Sequence, residues 1–166
     1  MKFIYLMVLI LITLSCGQQE IVNLDRKDFS ISYPKHLILD ESGEGGINLI
    51  LKTSKENDKD VFIESINLIK RNLTGFTFSE IAQKTIEDIE SCATIIENKK
   101  IKLNGNDCLR IVFELSQQNV DIKIIQHLIL SNGKLYLLTF TCEKKNFSKY
   151  FNDFNSVLLS FKSVDG

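Results

Sequence analysis

The sequence predicts an α+β domain, an antiparallel β-sheet flanked by helices. Three observations predict it. Apolar and polar residues alternate at a period of two in strand-like runs such as "DFSISYP" and "CLRIVFEL". Two Asn-Gly pairs, at 104–105 and 132–133, each stand between long strand-like runs. Two stretches, one from Thr77 to about Cys92 and one through Phe147 to Phe161, carry apolar residues at helical spacing and lie apart from the strand runs.

The elements follow in order. "DFSISYP" sets Phe29, Ile31 and Tyr33 against Ser30 and Ser32, a strand closed by Pro34, the one proline of the chain. "HLILD" continues as a short extended piece, and "ESGEGG" is a flexible acidic turn. "INLILKT" is the second strand, "SKENDKD" a polar loop, and "VFIESINLIK" the third strand, bounded by "NLTG". Thr77 with Glu80 three residues on forms a capping box, and Phe76 with Ile81 a hydrophobic staple. The helix so started carries Ile81, Ala82, Ile86 and Ile89 on one face. "TIIENKKIKL" and "CLRIVFEL" make a first hairpin, with Leu109, Ile111, Phe113 and Leu115 on one side and Arg110 and Glu114 on the other. "DIKIIQHLIL" and "KLYLLTFTCE" make a second. Phe147, Tyr150, Phe151, Phe154, Leu158 and Phe161 then define the apolar face of the last helix.

The start of the chain reads as an export signal. Lys2 supplies a positive charge, and Phe3 to Leu14 form an apolar run shorter than the roughly 20 residues a membrane-spanning helix needs. The junction Thr13-Leu14-Ser15-Cys16 resembles a bacterial lipobox, with Thr13 where that pattern commonly has Leu, Val or Ile. The resemblance implies that the Cys16 thiol receives a diacylglycerol and becomes the acylated first residue. A thiolate suits this step because it is a strong nucleophile. Two or more acyl chains anchor stably where one is marginal. The expected organisation is a signal peptide at residues 1–15, the lipidated cysteine and a tether at 16–24, and one domain at 25–166. Gly17 after the cysteine, in place of the Asp that retains lipoproteins in some inner membranes, favours the outer membrane.

Composition excludes some classes. The 20 basic residues fall to 19 when Lys2 leaves with the leader, against 21 acidic ones, so the mature charge is −2. That is no footprint for nucleic acid. Cys92, Cys108 and Cys142 are odd in number and lack the C-x-x-C spacing of a zinc site. They read as small core residues, with a Cys92–Cys108 disulfide left open.

Particular strings resemble the PsbP/Mog/DcrB-like superfamily. "FSISYP" is similar to its opening strand, "VFIESINLI" to the strand after the first loop, and "TGFTFSEIAQKTIEDI" to the following helix. "IKLNGNDCLRIVFEL" resembles its "NG-x-x-A" hairpin, with Cys108 near the usual small residue, and the segment from "IIQHLIL" to "SFK" resembles the closing hairpin and helix. The aromatic that bacterial members often carry after Tyr-Pro is missing, since Lys35, His36 and Leu37 follow Pro34 and the chain has no Trp. The resemblance implies an α/β/α sandwich. Relatives include an extrinsic photosystem subunit, a Ran-binding nuclear factor and bacterial envelope lipoproteins, which act as binding or assembly modules and not as enzymes.

No catalytic constellation stands against that reading. His36 and His127 are the only histidines; His127 reads as a half-buried or surface strand residue and His36 as a surface one. Neither belongs to a nucleophile–base–orienter set, and two histidines without spaced carboxylates are no metal motif. Asp40, Glu41 and Glu44 lack the ligand pattern of a calcium loop. Lys99, Lys100 and Lys102 form a small basic patch suited to anionic headgroups or an acidic protein. The glycosylation-like triplets at Asn72 and Asn146 mean little in a bacterial lipoprotein. The expectation is a non-enzymatic envelope protein without cofactor or metal, held to the membrane at Cys16 and serving a protein partner. The alternative is a carrier of a small apolar ligand or lipid, its pocket lined from the eleven Phe.

Overall fold

The computed structural model describes residues 19–164 apart from 59, 61 and 74. The signal peptide and Cys16 lie outside the described residues. Ten strands and two helices follow one another: β1 Ile21–Asp25, β2 Phe29–Pro34, β3 Ile38–Asp40, β4 Leu49–Lys52, β5 Ser65–Asn72, α1 Phe78–Glu90, β6 Thr94–Leu103, β7 Asn106–Gln117, β8 Val120–Ser131, β9 Lys134–Glu143, α2 Phe147–Ser160 and β10 Lys162–Ser163. Seven strands make one sheet in the order β3-β4-β5-β9-β8-β7-β6, and β1-β2-β10 make a second. Every pairing is antiparallel.

The period of two sorts the large sheet's side chains into two cores. On one face Leu109, Ile111 and Phe113 of β7 and Ile122, Ile124 and Leu128 of β8 pack with Ala82 and Ile89 of α1. On the other, Cys108 and Val112, Ile125 and Ile129, and Tyr136, Leu138 and Phe140 meet α2 and the small sheet. Both faces of the middle strands are therefore covered, and the molecule has three layers.

Each helix end has its reason. Thr77 Oγ1 accepts from the Glu80 amide at 3.3 Å, and the Glu80 carboxylate accepts from the Thr77 amide at 2.8 Å, closing the expected capping box. Phe76 keeps 62% of its surface exposed, so the expected staple on Ile81 does not bury the ring. At the C-terminus of α2, Asn104 of the β6–β7 turn donates to the carbonyls of Leu159 (3.1 Å) and Phe161 (2.7 Å), groups the helix itself leaves unsatisfied. Ser160 donates to the Ser32 carbonyl at 3.0 Å, tying α2 to β2.

Three departures from the sequence reading have physical causes. Ile21–Asp25 is a strand where a tether is expected up to residue 24; only Val22 and Leu24 turn inward, too few to show in the sequence, and pairing with β2 makes the strand. β10 is two residues long and exists only through β2. β5 starts at Ser65, where its pairing with β4 stops at Lys52 and with β9 at Thr141; just before it, Glu64 turns inward and its carbonyl accepts from the Thr53 amide at 3.0 Å.

Phe154 is the centre of the α2 core. It is fully buried and stacks on Phe140 with ring centroids 4.6 Å apart. Phe161 closes the same core between Phe29 and Tyr136. Phe154→Ala removes a ring from a site walled by a helix and a sheet that cannot both collapse into it. The expected loss is about 3–5 kcal/mol of unfolding free energy, read from urea denaturation. A loss below about 1 kcal/mol would show that α2 is not clamped through this residue.

Candidate functional site

A groove on the described surface brings apolar side chains and part-buried charge together. It lies on the α2 side of the sheet, beyond the area that α2 covers, and has a volume of about 200 Å³. Phe147 and Phe151 of α2 form one wall, Val112 and Ile125 of β7 and β8 line the base, and Ile96 and Glu97 of β6 form the rim. The β6–β7 register shifts between Ile95 and Glu97, and this bulge turns Ile96 outward, 54% exposed. Lys123 reaches in from β8, its ammonium 4.7 Å from the centre of the Phe147 ring and 3.4 Å from Glu114.

Arg110 lines the same groove and anchors a charged network. Its Nε donates to Glu97 Oε1 at 3.0 Å, and Nη1 lies 3.1 Å from His127 Nε2. A guanidinium only donates, so His127 Nε2 accepts and the ring proton sits on Nδ1. That Nδ1 is buried without a hydrogen-bond partner among the described residues. His127 is fully buried, not the half-buried or surface residue expected, because α2 and the small sheet cover its face of β8. Burial first, and the Arg110 charge second, push its pKa down to about 4, so it is neutral at pH 7. Burial works against the Glu97 carboxylate, but Lys99 and Arg110 still hold its pKa below the ordinary value.

The remaining candidates disperse. His36, exposed, sits 3.3 Å from Asp153 and 3.2 Å from the Gln19 amide nitrogen, far from the interior position of His127. Asp40 accepts from the Ser42 amide and pairs with Lys52, while Glu41 pairs with Arg26, so the acidic loop resolves into separate contacts. No group of three or more His, Cys, Asp or Glu side chains placed to hold a metal ion occurs among the described residues. Cys92, Cys108 and Cys142 are free thiols. Cys108 faces the α2 core, whereas Cys92 follows α1 on the opposite side of the sheet, so the two do not meet. Burial pushes the Cys108 and Cys142 thiols up to about 12, with Glu64 adding to the effect at Cys142. Buried Glu64 accepts from Asn146 Nδ2 at 3.3 Å and Thr53 Oγ1 at 3.4 Å. A second, larger cleft of about 510 Å³ at the end of α1 is polar and open, spanned by Lys144 and Glu114 at 2.6 Å.

Sequence reasoning singled out Arg110 and His127 separately but not their meeting. They stand 17 residues apart and become neighbours only through the β7–β8 register, which places Arg110 opposite His127.

These features define an antiparallel sandwich domain with a small surface groove. The chain belongs to the PsbP family: the family model matches residues 22–163. Solved structures show the same fold. The solution structure of cyanobacterial PsbP (CyanoP) from Synechocystis is 16% identical with a TM-score of 0.63, over 90% of this chain and 95% of that one. LpqN, involved in cell envelope biogenesis of Mycobacterium tuberculosis, is 10% identical with a TM-score of 0.66, over 90% and 93%. PA94 from Pseudomonas aeruginosa, a protein of unknown function and putative regulator by its description, is 10% identical with a TM-score of 0.63, over 88% and 99%. No curated protein matches the sequence.

The His127 network has a pH signature. A base whose folded pKa lies below its unfolded value of 6.5 leaves the unfolded chain binding more protons between the two values. Stability from this group is therefore complete above pH 6.5 and is lost as pH falls towards 4, by about 3 kcal/mol in total. His127→Gln keeps an acceptor for Arg110 but cannot titrate. Urea denaturation from pH 7 to 4 is expected to show a steeper fall for the native chain than for the variant. Parallel curves would mean that His127 is not buried neutral.

Proposed function

We propose that this protein is a lipid-anchored component of the bacterial envelope, a non-enzymatic binding or assembly module that holds a protein partner close to the membrane. The Thr13-Leu14-Ser15-Cys16 lipobox carries the reading. Four residues separate Cys16 from β1, a reach of at most about 18 Å if fully extended. A tether that short keeps the domain against the bilayer. The likeness to LpqN, described as involved in cell envelope biogenesis, supports the same compartment. The membership in the PsbP family supports a binding role by analogy of fold.

A second reading is a carrier of a small apolar ligand or lipid. The groove beside Phe147 and Phe151 favours it, but its volume of about 200 Å³ is below the roughly 300–1,000 Å³ of most small-molecule sites. The groove suits one apolar side chain of a partner better than a whole lipid.

Two measurements test the proposal. Cys16→Ser is expected to abolish membrane attachment and halt processing, with thermal unfolding of the domain unchanged, because acyl chains supply the anchoring free energy. Cell fractionation with intact masses reads this, and a serine variant that stays in the membrane at the native mature mass removes the anchor. Native mass spectrometry of the purified mature domain then separates the two roles. A bare polypeptide mass supports the adaptor, and a co-purifying lipid or metabolite replaces it with the carrier.

A further inference from the structure

β6 ends the seven-stranded sheet and pairs along one side only, with β7. It is ten residues long, whereas β3 at the other end of the sheet has three. In an antiparallel ladder about half of an edge strand's N–H and C=O groups point away from its neighbour, and such a row is a template for a further strand.

The charge along this edge differs from that of the whole molecule. Residues 97–103 hold three lysines and one glutamate in a chain of formal charge −1. The register sets Lys99 opposite Arg110, on the α2 side, and Lys100 and Lys102 opposite Leu109 and Asp107, on the α1 side. Ammonium groups thus flank the edge on both faces. Lys99 is 3.3 Å from Glu97 and Lys102 is 2.7 Å from Asp107, while Lys100 is exposed with no ion-pair partner among the described residues. At the bulge, exposed Ile96 opens the edge into the groove.

Charge decides what fits. A second copy adding through the same edge would double the lysines along one seam, and like charges across a strand pair are destabilising. An anionic lipid surface meets the lysines but supplies no strand to complete the ladder. An extended acidic segment does both. Edge lysines commonly repel indiscriminate pairing, so the same side chains that reject neutral, basic or self strands discriminate in favour of an acidic one.

We propose that the outer edge of β6 is a strand-addition site for an extended, acidic segment of a partner protein. Lys99 meets its carboxylates on one face and Lys100 and Lys102 on the other, and one apolar side chain of the segment seats beside Ile96 in the groove. The proposal rests on the binding-module reading and names the chemistry of the partner.

The probe is an acetylated, amidated peptide as long as β6, with consecutive aspartates along the half that runs beside Lys99 to Lys102, so that carboxylates point to both faces, and one leucine placed to reach Ile96. It is titrated into the full mature chain carrying Cys16→Ser and followed by backbone amide NMR. The expected result is saturable binding with the largest shifts along β6. The combined variant Lys100→Glu, Lys102→Glu weakens it about tenfold. Methylation of alternate peptide nitrogens, which blocks the ladder and keeps the charge, abolishes it. The absence of saturable binding, binding indifferent to methylation, or shifts away from β6 would each overturn the proposal. So would phosphatidylglycerol vesicles perturbing β6 where the peptide does not, since the ligand is then a lipid surface. Should the charge variant unfold, the methylated peptide decides on the native side chains. Membrane release and native mass test the adaptor reading without involving β6, so the two fail separately.

Discussion

The register of the β6–β7–β8–β9 meander is the constraint on which the rest of the structure depends. Side chains alternate across a strand, so a slip of one residue would exchange the α1 face for the α2 face along the whole length. Three two-residue turns hold the register: Asn104-Gly105, Gln118-Asn119 and Asn132-Gly133, all six residues at positive φ. Positive φ at both central positions gives the turn twist that matches right-handed strands. Glycine and asparagine reach it at low cost, and Gln118 is the one residue of the six for which it is unusual.

From that register follow both cores and the charged network. Leu109, Ile111 and Phe113 reach α1, while Cys108 and Val112 reach the other layer, so β7 carries apolar side chains on both faces. Arg110 shares its face with Val112 and is brought beside His127. A part-buried arginine needs acceptors, and it has two: the Glu97 carboxylate and the imidazole Nε2. The neutral histidine is thus a hydrogen-bond acceptor for the guanidinium. The network also places charge beside the apolar base of the groove.

One carboxylate fastens the small sheet to two strands of the large one. Asp28, in the β1–β2 turn, pairs with Lys70 of β5 at 2.5 Å and Lys134 of β9 at 2.6 Å, and its backbone carbonyl accepts from the Tyr136 hydroxyl at 3.1 Å. Hydrogen bonds from Lys134 and Lys70 hold its pKa at about 2. Together with Ser160 on Ser32 and Asn104 on the end of α2, these contacts lock the C-terminal end of α2 and the small sheet in place. The stretch of that face around Ile96, Glu97 and Arg110 lines a groove, which leaves the groove and the free edge as neighbours.

Much of the fold was legible because local physics and tertiary structure agree. The alternation in "FSISYP" and "CLRIVFEL", the Asn-Gly turns, the Thr77–Glu80 box and the helical spacing of Phe147 to Leu158 are each decided within a few residues. The lipobox-like string Thr13-Leu14-Ser15-Cys16 is equally local, and the acylation proposed for it would need no fold. What stayed hidden depends on partners distant in sequence. β1 and β10 have too few apolar residues to declare themselves and exist through β2. The burial of His127 follows from coverage by a helix that starts 20 residues later, and its bond to Arg110 from strand register. The Cys92–Cys108 question was settled by the sheet lying between them. The basic patch was visible as three lysines, but that it flanks a free edge was not, because strand order in a sheet is set by pairing over the whole chain.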